Sequence, residues 1–289
     1  MRREWRRPFL LVTTALVLTA ALCAMVLDSG GTDTNTTGSR SGRPSATMVV
    51  AARKALLQDL RHNDAPMLLA RPSDNTATES SYNWAGYADT FKKGAVTAVS
   101  GTWTVPTVTC TAEDTITSEW VGIDGFSDKT VEQDGTIGWC YQDVPIYFTW
   151  YEMYPAGTVE VGNALVPGDQ ITASVSHSGK DYTLSLVDST NAANSFTDTG
   201  TCAASKCLAN SAEWIAERPE FTTTGLAPLA EFTPWDVTEG TVKANGPPGT
   251  ISSFNPVELL MQDSNMVYNL ATPSVLTGGS FTTTWNDSY

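Results

Sequence analysis

Three stretches of the chain combine carboxyl or amide side chains with large aromatics, a pattern suited to hydrolysis by acid–base chemistry. In "SAEWIAE", residues 211–217, a period of two puts Ala212, Trp214 and Ala216 on one strand face and Ser211, Glu213, Ile215 and Glu217 on the other. The first face reads as core, which leaves Glu213 pointing the other way as a candidate general acid and base. Glu217 shares its face just before Pro219 and has no assigned job. In "VEQDG", Gln133 precedes an Asp134-Gly135 turn signal. Its amide has N–H donors and a carbonyl acceptor, which holding a water and a developing oxyanion together requires. In "YFTWYEMYP", Phe148, Trp150, Glu152 and Tyr154 share a face, and Tyr147, Thr149, Tyr151 and Met153 share the other. Both faces are aromatic, so one fits a core and the other a groove. In "SEWVGIDG", Trp120 and Asp124 share a parity while Val121 and Ile123 read as buried. Each stretch has a plainer explanation: a solvated strand glutamate, a surface amide beside a turn, a carboxylate reaching water between two rings.

Other catalytic devices are missing. From Ser81 onward the sole histidine is His177, in the turn-like "SVSHSGKDY", so a Ser-His-Asp triad would have to be built around it. No GxSxG, HExxH, P-loop or GxGxxG occurs. Carboxylates and amides are left to do the chemistry, and no metal or cofactor is expected.

The elements that must position these groups are strands. Beyond Asn83 the chain alternates in short runs rich in Thr, Val, Trp and Tyr, separated by Gly, Pro, Asn and Asp. That predicts an all-β, antiparallel two-sheet sandwich over residues 81–289, one domain with 8 tryptophans to fill its core. Ahead of it, residues 1–27 carry four arginines and then an apolar run, a signal peptide or signal-anchor. Thr19, Ala20 and Ala21 offer a cleavage site, and Leu22 before Cys23 argues against a lipoprotein. Residues 28–80 are poor in large apolar groups apart from one helical island, "ATMVVAARKALLQDLRHN", and read as a propeptide or linker.

Charge and cysteines bound the environment. Residues 81–289 contain 24 acidic and 7 basic side chains, a formal charge of −17, which argues against nucleic acid or anionic membrane as partners. With carboxylates protonated, few charges remain to repel one another, so the composition suits a domain that works in acid. Cys110, Cys140, Cys202 and Cys207 allow three disulfide connectivities. The favoured pairing is Cys202 with Cys207 and Cys110 with Cys140, as expected of a secreted chain.

At these residues the chain resembles the glutamic peptidase family, the eqolisins. The blocks are "SYNWAGY", "VSGTWTVPTV", "EWVGIDG", "VEQDG", "WYEMYP", "NSAEWIAE" and "PLAEF", in order and spread over most of residues 81–289. The resemblance implies a lectin-like sandwich whose concave face holds a catalytic Glu and Gln, made as a secreted zymogen and active in acid. It implies Glu213 as the glutamate, Gln133 as the glutamine, and Trp120, Asp124, Trp150, Glu152 and Tyr154 along the substrate groove. Two departures bear on subsites and pH optimum. Gln133-Asp134-Gly135 stands where the family commonly has Gln-Thr-Gly, and Phe148 stands where some members carry an acidic residue. Asp134 would raise a neighbouring carboxyl's pKa if it pointed inward.

The expected partners are protein or peptide substrates and the chain's own basic propeptide, acting as an intramolecular inhibitor released in acid. The new N-terminus is expected between Leu69 and Ser81, and the product is expected to be a monomer with no stable membrane contact. The competing readings are a glycoside hydrolase using Glu152 and Glu213, and a non-catalytic lectin-like module.

Overall fold

The alternating runs become strands because β-branched and aromatic residues pack well on a pleated, half-buried surface. The principal ones are β1 (Trp84–Thr90), β2 (Val96–Thr104), β3 (Thr115–Ile123), β4 (Val131–Tyr141), β5 (Val144–Tyr154), β6 (Gln170–Ser178) and β7 (Asp181–Asp188). After them come β8 (Phe196–Thr201), β9 (Ser211–Glu217), β10 (Trp235–Ala244), β11 (Val257–Gln262), β12 (Asn269–Pro273) and β13 (Phe281–Trp285). The computed structural model describes residues 44–60, 67–71, 77–111, 114–202, 207–222 and 224–288. The signal-segment reading, residues 1–27, lies outside the described residues. So do residues 28–43, 61–66 and 72–76 of the segment read as a propeptide.

Two layers form, as the alternation predicts. In the first, β5, β4, β3, β9, β1 and β11 pair antiparallel in that order, with the short strand Val159–Glu160 added beyond β5. In the second, the order is β8, β7, β6, β2, β10 and β13. Strand β12 pairs with both β11 and β13, so hydrogen bonding runs without a break from one layer into the other. Thr78–Ser81 pairs parallel with β11, and an isolated parallel bridge joins Ile116 to Leu229.

Between the layers lies one apolar core, including Val99, Trp103, Val121, Ile123, Val175, Leu184, Trp214 and Trp235. Trp214 is there as its parity requires, its indole N–H donating to the Ser100 carbonyl at 2.8 Å. A second cluster occupies the outer, concave face of the first layer, with Trp84, Trp120, Ile137, Phe148, Trp150, Tyr154 and Ile215. Leu56 and Leu60, from the segment ahead of the sandwich, belong to this second cluster. They come from α1 (Ala46–Asp59), whose first turn is capped by Ser45 Oγ accepting from the Met48 N–H.

Both favoured disulfides form. Cys110–Cys140 ties the chain before β3 to the end of β4, with Cα atoms 5.3 Å apart, and Cys202–Cys207 closes the loop between β8 and β9.

Candidate active site

The concave face gathers most of the residues expected to do chemistry. The register sets Glu213 opposite Gly122, Gly122 opposite Gln133, and Gln133 opposite Glu152, one row across β9, β3, β4 and β5. Side chains in such a row share a face. The next row runs Ile215, Trp120, Gly135, Trp150 and Glu160, and the one after it Glu217, Ser118, Ile137 and Phe148.

Gly135 lets Trp120 lie flat against the sheet. A Cβ there would sit 2.1 Å from the Glu119 carbonyl oxygen and 2.6 Å from Trp120 Cβ. At Gly122 an added Cβ would meet Trp120 Cζ3 at 2.8 Å, so the benzo edge of the indole covers the space over that glycine. The other end of the ring donates from Nε1 to Glu217 Oε2 at 2.8 Å. Trp84 packs edge-on against the same indole at 4.9 Å. Trp120 is therefore a floor, with Glu217 at its pyrrole end and Gln133 beside its benzo end.

Gln133 is anchored by its amide. Nε2 donates to Glu152 Oε2 at 2.9 Å, while Glu152 Oε1 accepts from Thr158 Oγ1 at 2.9 Å. The Gln133 carbonyl oxygen is buried with no hydrogen-bond partner, and so is the Trp150 indole N–H. Such groups can receive a ligand's polar atoms, and both Glu213 carboxyl oxygens, like both Asp134 oxygens in the core, are buried in the same state.

The two β9 glutamates differ sharply. Glu217 accepts from Trp120 Nε1 and, at 3.3 Å, from Asn83 Nδ2, which aligns both carboxylate oxygens. It also borders a crevice whose other walls include Leu60, Ser118, Ile137, Trp150, Thr158 and Pro219. Glu213 is fully enclosed. Burial first, and then the nearby charges of Asp124, Asp128 and Glu132, push its carboxyl well above the ordinary range, against a smaller opposing effect of the Ser211 hydroxyl. The sequence singled out Glu213 and left Glu217 idle. The signal that separates them, a tryptophan ring lying over an intervening glycine, belongs to cross-strand packing and not to alternation.

Two expectations need correction. Asp124 does not line the groove: it ends β3 in the left-handed region at φ 72, so the strand's parity no longer applies to it. Its oxygens accept the Ala209 and Asn210 N–H groups, each at 2.8 Å, which ties the β3–β4 turn to the entry of β9. Asp134 points away from the concave face into the inter-layer core, where burial pushes its carboxyl well up despite the backbone groups of Ser185 and Ser174. It is not an inward neighbour of Gln133.

The segment ending α1 packs on this face. Leu60 also borders a second cavity of ≈ 650 Å³ with Leu57, Gln58, Glu152, Tyr154 and Pro155, so its side chain stands between Glu217 on one wall and Glu152 on the other. Just after the helix its main chain makes one antiparallel bridge, Leu60 to Phe221, and the Thr222 N–H donates to the Asp59 carbonyl at 2.9 Å. Downstream, Leu68 N–H donates to Asn83 Oδ1 at 2.8 Å, through the same amide that supports Glu217.

Among the described residues, one group has metal-ligand spacing, Glu132 with Cys202 and Cys207. Its two sulfurs are joined in the disulfide, so they are not thiolate ligands.

Comparison with known proteins bears on the family and the fold. A sequence model of the Peptidase A4 family matches residues 82–285. Aspergillopepsin-2 of Aspergillus niger is 26% identical over 264 residues, covering 81% of this chain and 90% of that protein. Scytalido-glutamic peptidase, solved with a transition state analog inhibitor, superposes with a TM-score of 0.61 at 22% identity, over 71% of this chain and 98% of its own. Aspergilloglutamic peptidase from Aspergillus niger gives a TM-score of 0.52 at 26% identity, over 60% of this chain and 99% of that one.

Proposed function

Because the chain belongs to the peptidase A4 family and is a glutamic-type peptidase, we propose that it is an acid endopeptidase. It is made as a zymogen, and its reaction runs between Glu217 and Gln133 across the Trp120 indole. The observation that carries this reading is the place of Leu60, which borders both the crevice lined by Glu217 and the cavity lined by Glu152, the carboxylate that holds the Gln133 amide.

In this mechanism a water sits above the indole. Glu217, as carboxylate, takes a proton from it while the oxygen attacks the scissile carbonyl carbon. The Gln133 carbonyl oxygen accepts the water's other hydrogen. Its second amide hydrogen, free of Glu152, donates to the developing oxyanion. Collapse of the tetrahedral intermediate breaks the C–N bond, and Glu217 returns its proton to the leaving amine. Glu152, steadied by Thr158, is a positioning residue that fixes which way the amide points.

Glu213 is a weaker candidate for the base, although it shares a row with Gln133. A carboxyl pushed well above its ordinary range stays protonated in acid and cannot take a proton from water. The Trp120 ring also fills the gap between the two side chains.

The propeptide is an intramolecular inhibitor in this reading, with Leu56 and Leu60 buried on the concave face and Leu60 bridged to Phe221. Export through the N-terminal segment completes the proposal. Digestion of a denatured protein at about pH 4, with an aspartic-peptidase inhibitor present, tests it. Cleavage by acid-treated wild type and its loss in Glu217→Gln and Gln133→Ala are expected. An inactive wild type after propeptide removal would end the peptidase reading for this chain.

A further inference from the structure

The contacts of Arg53 suggest what side chain the groove is built to receive. This residue, half-buried on the packed side of α1, reaches the concave face, where its guanidinium forms an ion pair with Glu160 and lies 5.7 Å from the centre of the Phe148 ring. The two charged side chains are only 13% and 16% exposed. An arginine loses hydration in such a place; the Glu160 carboxylate and the Phe148 ring replace part of it, while Arg53 Nε is left buried without a hydrogen-bond partner.

Glu160 lies directly opposite Trp150 across the β5 edge, and Phe148 is two residues from Trp150 on the same face of β5. An anion beside an aromatic face is a poor pocket for an apolar side chain, which would leave the carboxylate unhydrated and unpaired. It suits a cation, which gains the ion pair and the ring's negative face together.

We propose that Glu160 and Phe148 form a cation-accepting subsite of the substrate groove, filled by Arg53 in the precursor and by a lysine or arginine side chain of the bound peptide in the mature enzyme. The inference rests on the peptidase reading and adds a substrate class to it. Glu160 is a specificity residue here, since it touches the substrate side chain and not the reacting atoms. The departure at Phe148 takes on a purpose: the ring supplies a face for the cation, and the charge comes from the neighbouring strand.

The test uses the full chain activated by incubation in acid and a mixture of peptides randomised around a fixed central sequence, cleaved at about pH 4.5. Lysine and arginine should be enriched at one position on one side of the cut. For a peptide pair differing only by arginine or norleucine at that position, kcat/KM should favour arginine by roughly tenfold, the scale of one desolvated ion pair with a cation–π contact. Glu160→Gln should bring that ratio close to one, and Glu160→Lys should reverse it. Cleavage with no positional preference for basic residues, or a preference that survives in Glu160→Gln, would overturn the subsite while leaving the peptidase intact. No cleavage of any peptide would remove both.

Discussion

Glu119 offers a quantitative test of how this fold depends on acid. It sits on β3 facing the inter-layer core, fully buried, accepting from Thr117 Oγ1 at 2.8 Å and more weakly from Thr136 Oγ1 at 3.4 Å. Burial raises its carboxyl from 4.5 to about 7, with the two hydroxyls opposing the shift. Since the folded chain holds this proton more tightly than the unfolded chain, the contribution is whole below pH 4.5 and is lost as pH rises through 7. At about 1.4 kcal/mol per unit, the loss is roughly 3 kcal/mol. Glu119→Gln keeps the volume and both hydroxyl partners but cannot ionise. Urea unfolding of wild type and variant at about pH 4.5 and about pH 8 isolates the term. The variant should lose roughly 3 kcal/mol less than wild type between the two, or roughly 6 to 12 °C less in Tm for a domain of this size. Parallel losses in the two proteins would refute the assignment of this carboxyl as a protonated core group.

Further predictions follow from the same geometry. Wild type should lose more than the Glu119 share at neutral pH, because burial also raises Asp89 to about 8 and Glu132 to about 9, the latter reinforced by Asp124 and Asp128; a Tm flat from acid to neutral pH would contradict this. Gln133→Ala should lower kcat by roughly 10² to 10³ with KM little changed, as for other lost oxyanion donors, read in steady-state peptide cleavage. Gly135→Ala should destabilise by roughly 4 kcal/mol or more in urea unfolding, because its Cβ would overlap the Glu119 carbonyl oxygen at 2.1 Å. Leu60→Ala should make the precursor mature faster in acid, measured by the time course of propeptide loss, because the side chain between the Glu217 and Glu152 walls is cut back.

Alternation alone placed much of this site. It put Trp214 in the inter-layer core and Glu213 and Glu217 on the opposite face, and it put Phe148, Trp150, Glu152 and Tyr154 together, because neighbouring Cβ atoms on a strand point to opposite sides. It failed at Asp124, where a positive φ breaks the period just after the strand. It could not rank the two β9 glutamates, since that depends on how Trp120 lies across Gly122 and Gly135, a contact between strands remote in sequence. The docking of α1 was equally hidden: the helical island could be seen in the sequence, but not that Arg53 would meet Glu160 or that Leu60 would enter the crevice.

The most direct test of the account is a comparison of Glu217→Gln with Glu213→Gln. Each precursor is processed in trans by immobilised wild-type enzyme and then assayed by single-turnover peptide cleavage at about pH 4. The account predicts that Glu217→Gln loses at least roughly 10³ in the cleavage rate, the scale of removing the acid–base group. Glu213→Gln should stay within roughly tenfold of wild type, as expected for a carboxyl that is already neutral there. A Glu213→Gln variant that is inactive beside an active Glu217→Gln would contradict the account and restore the pairing of Glu213 with Gln133 across Gly122.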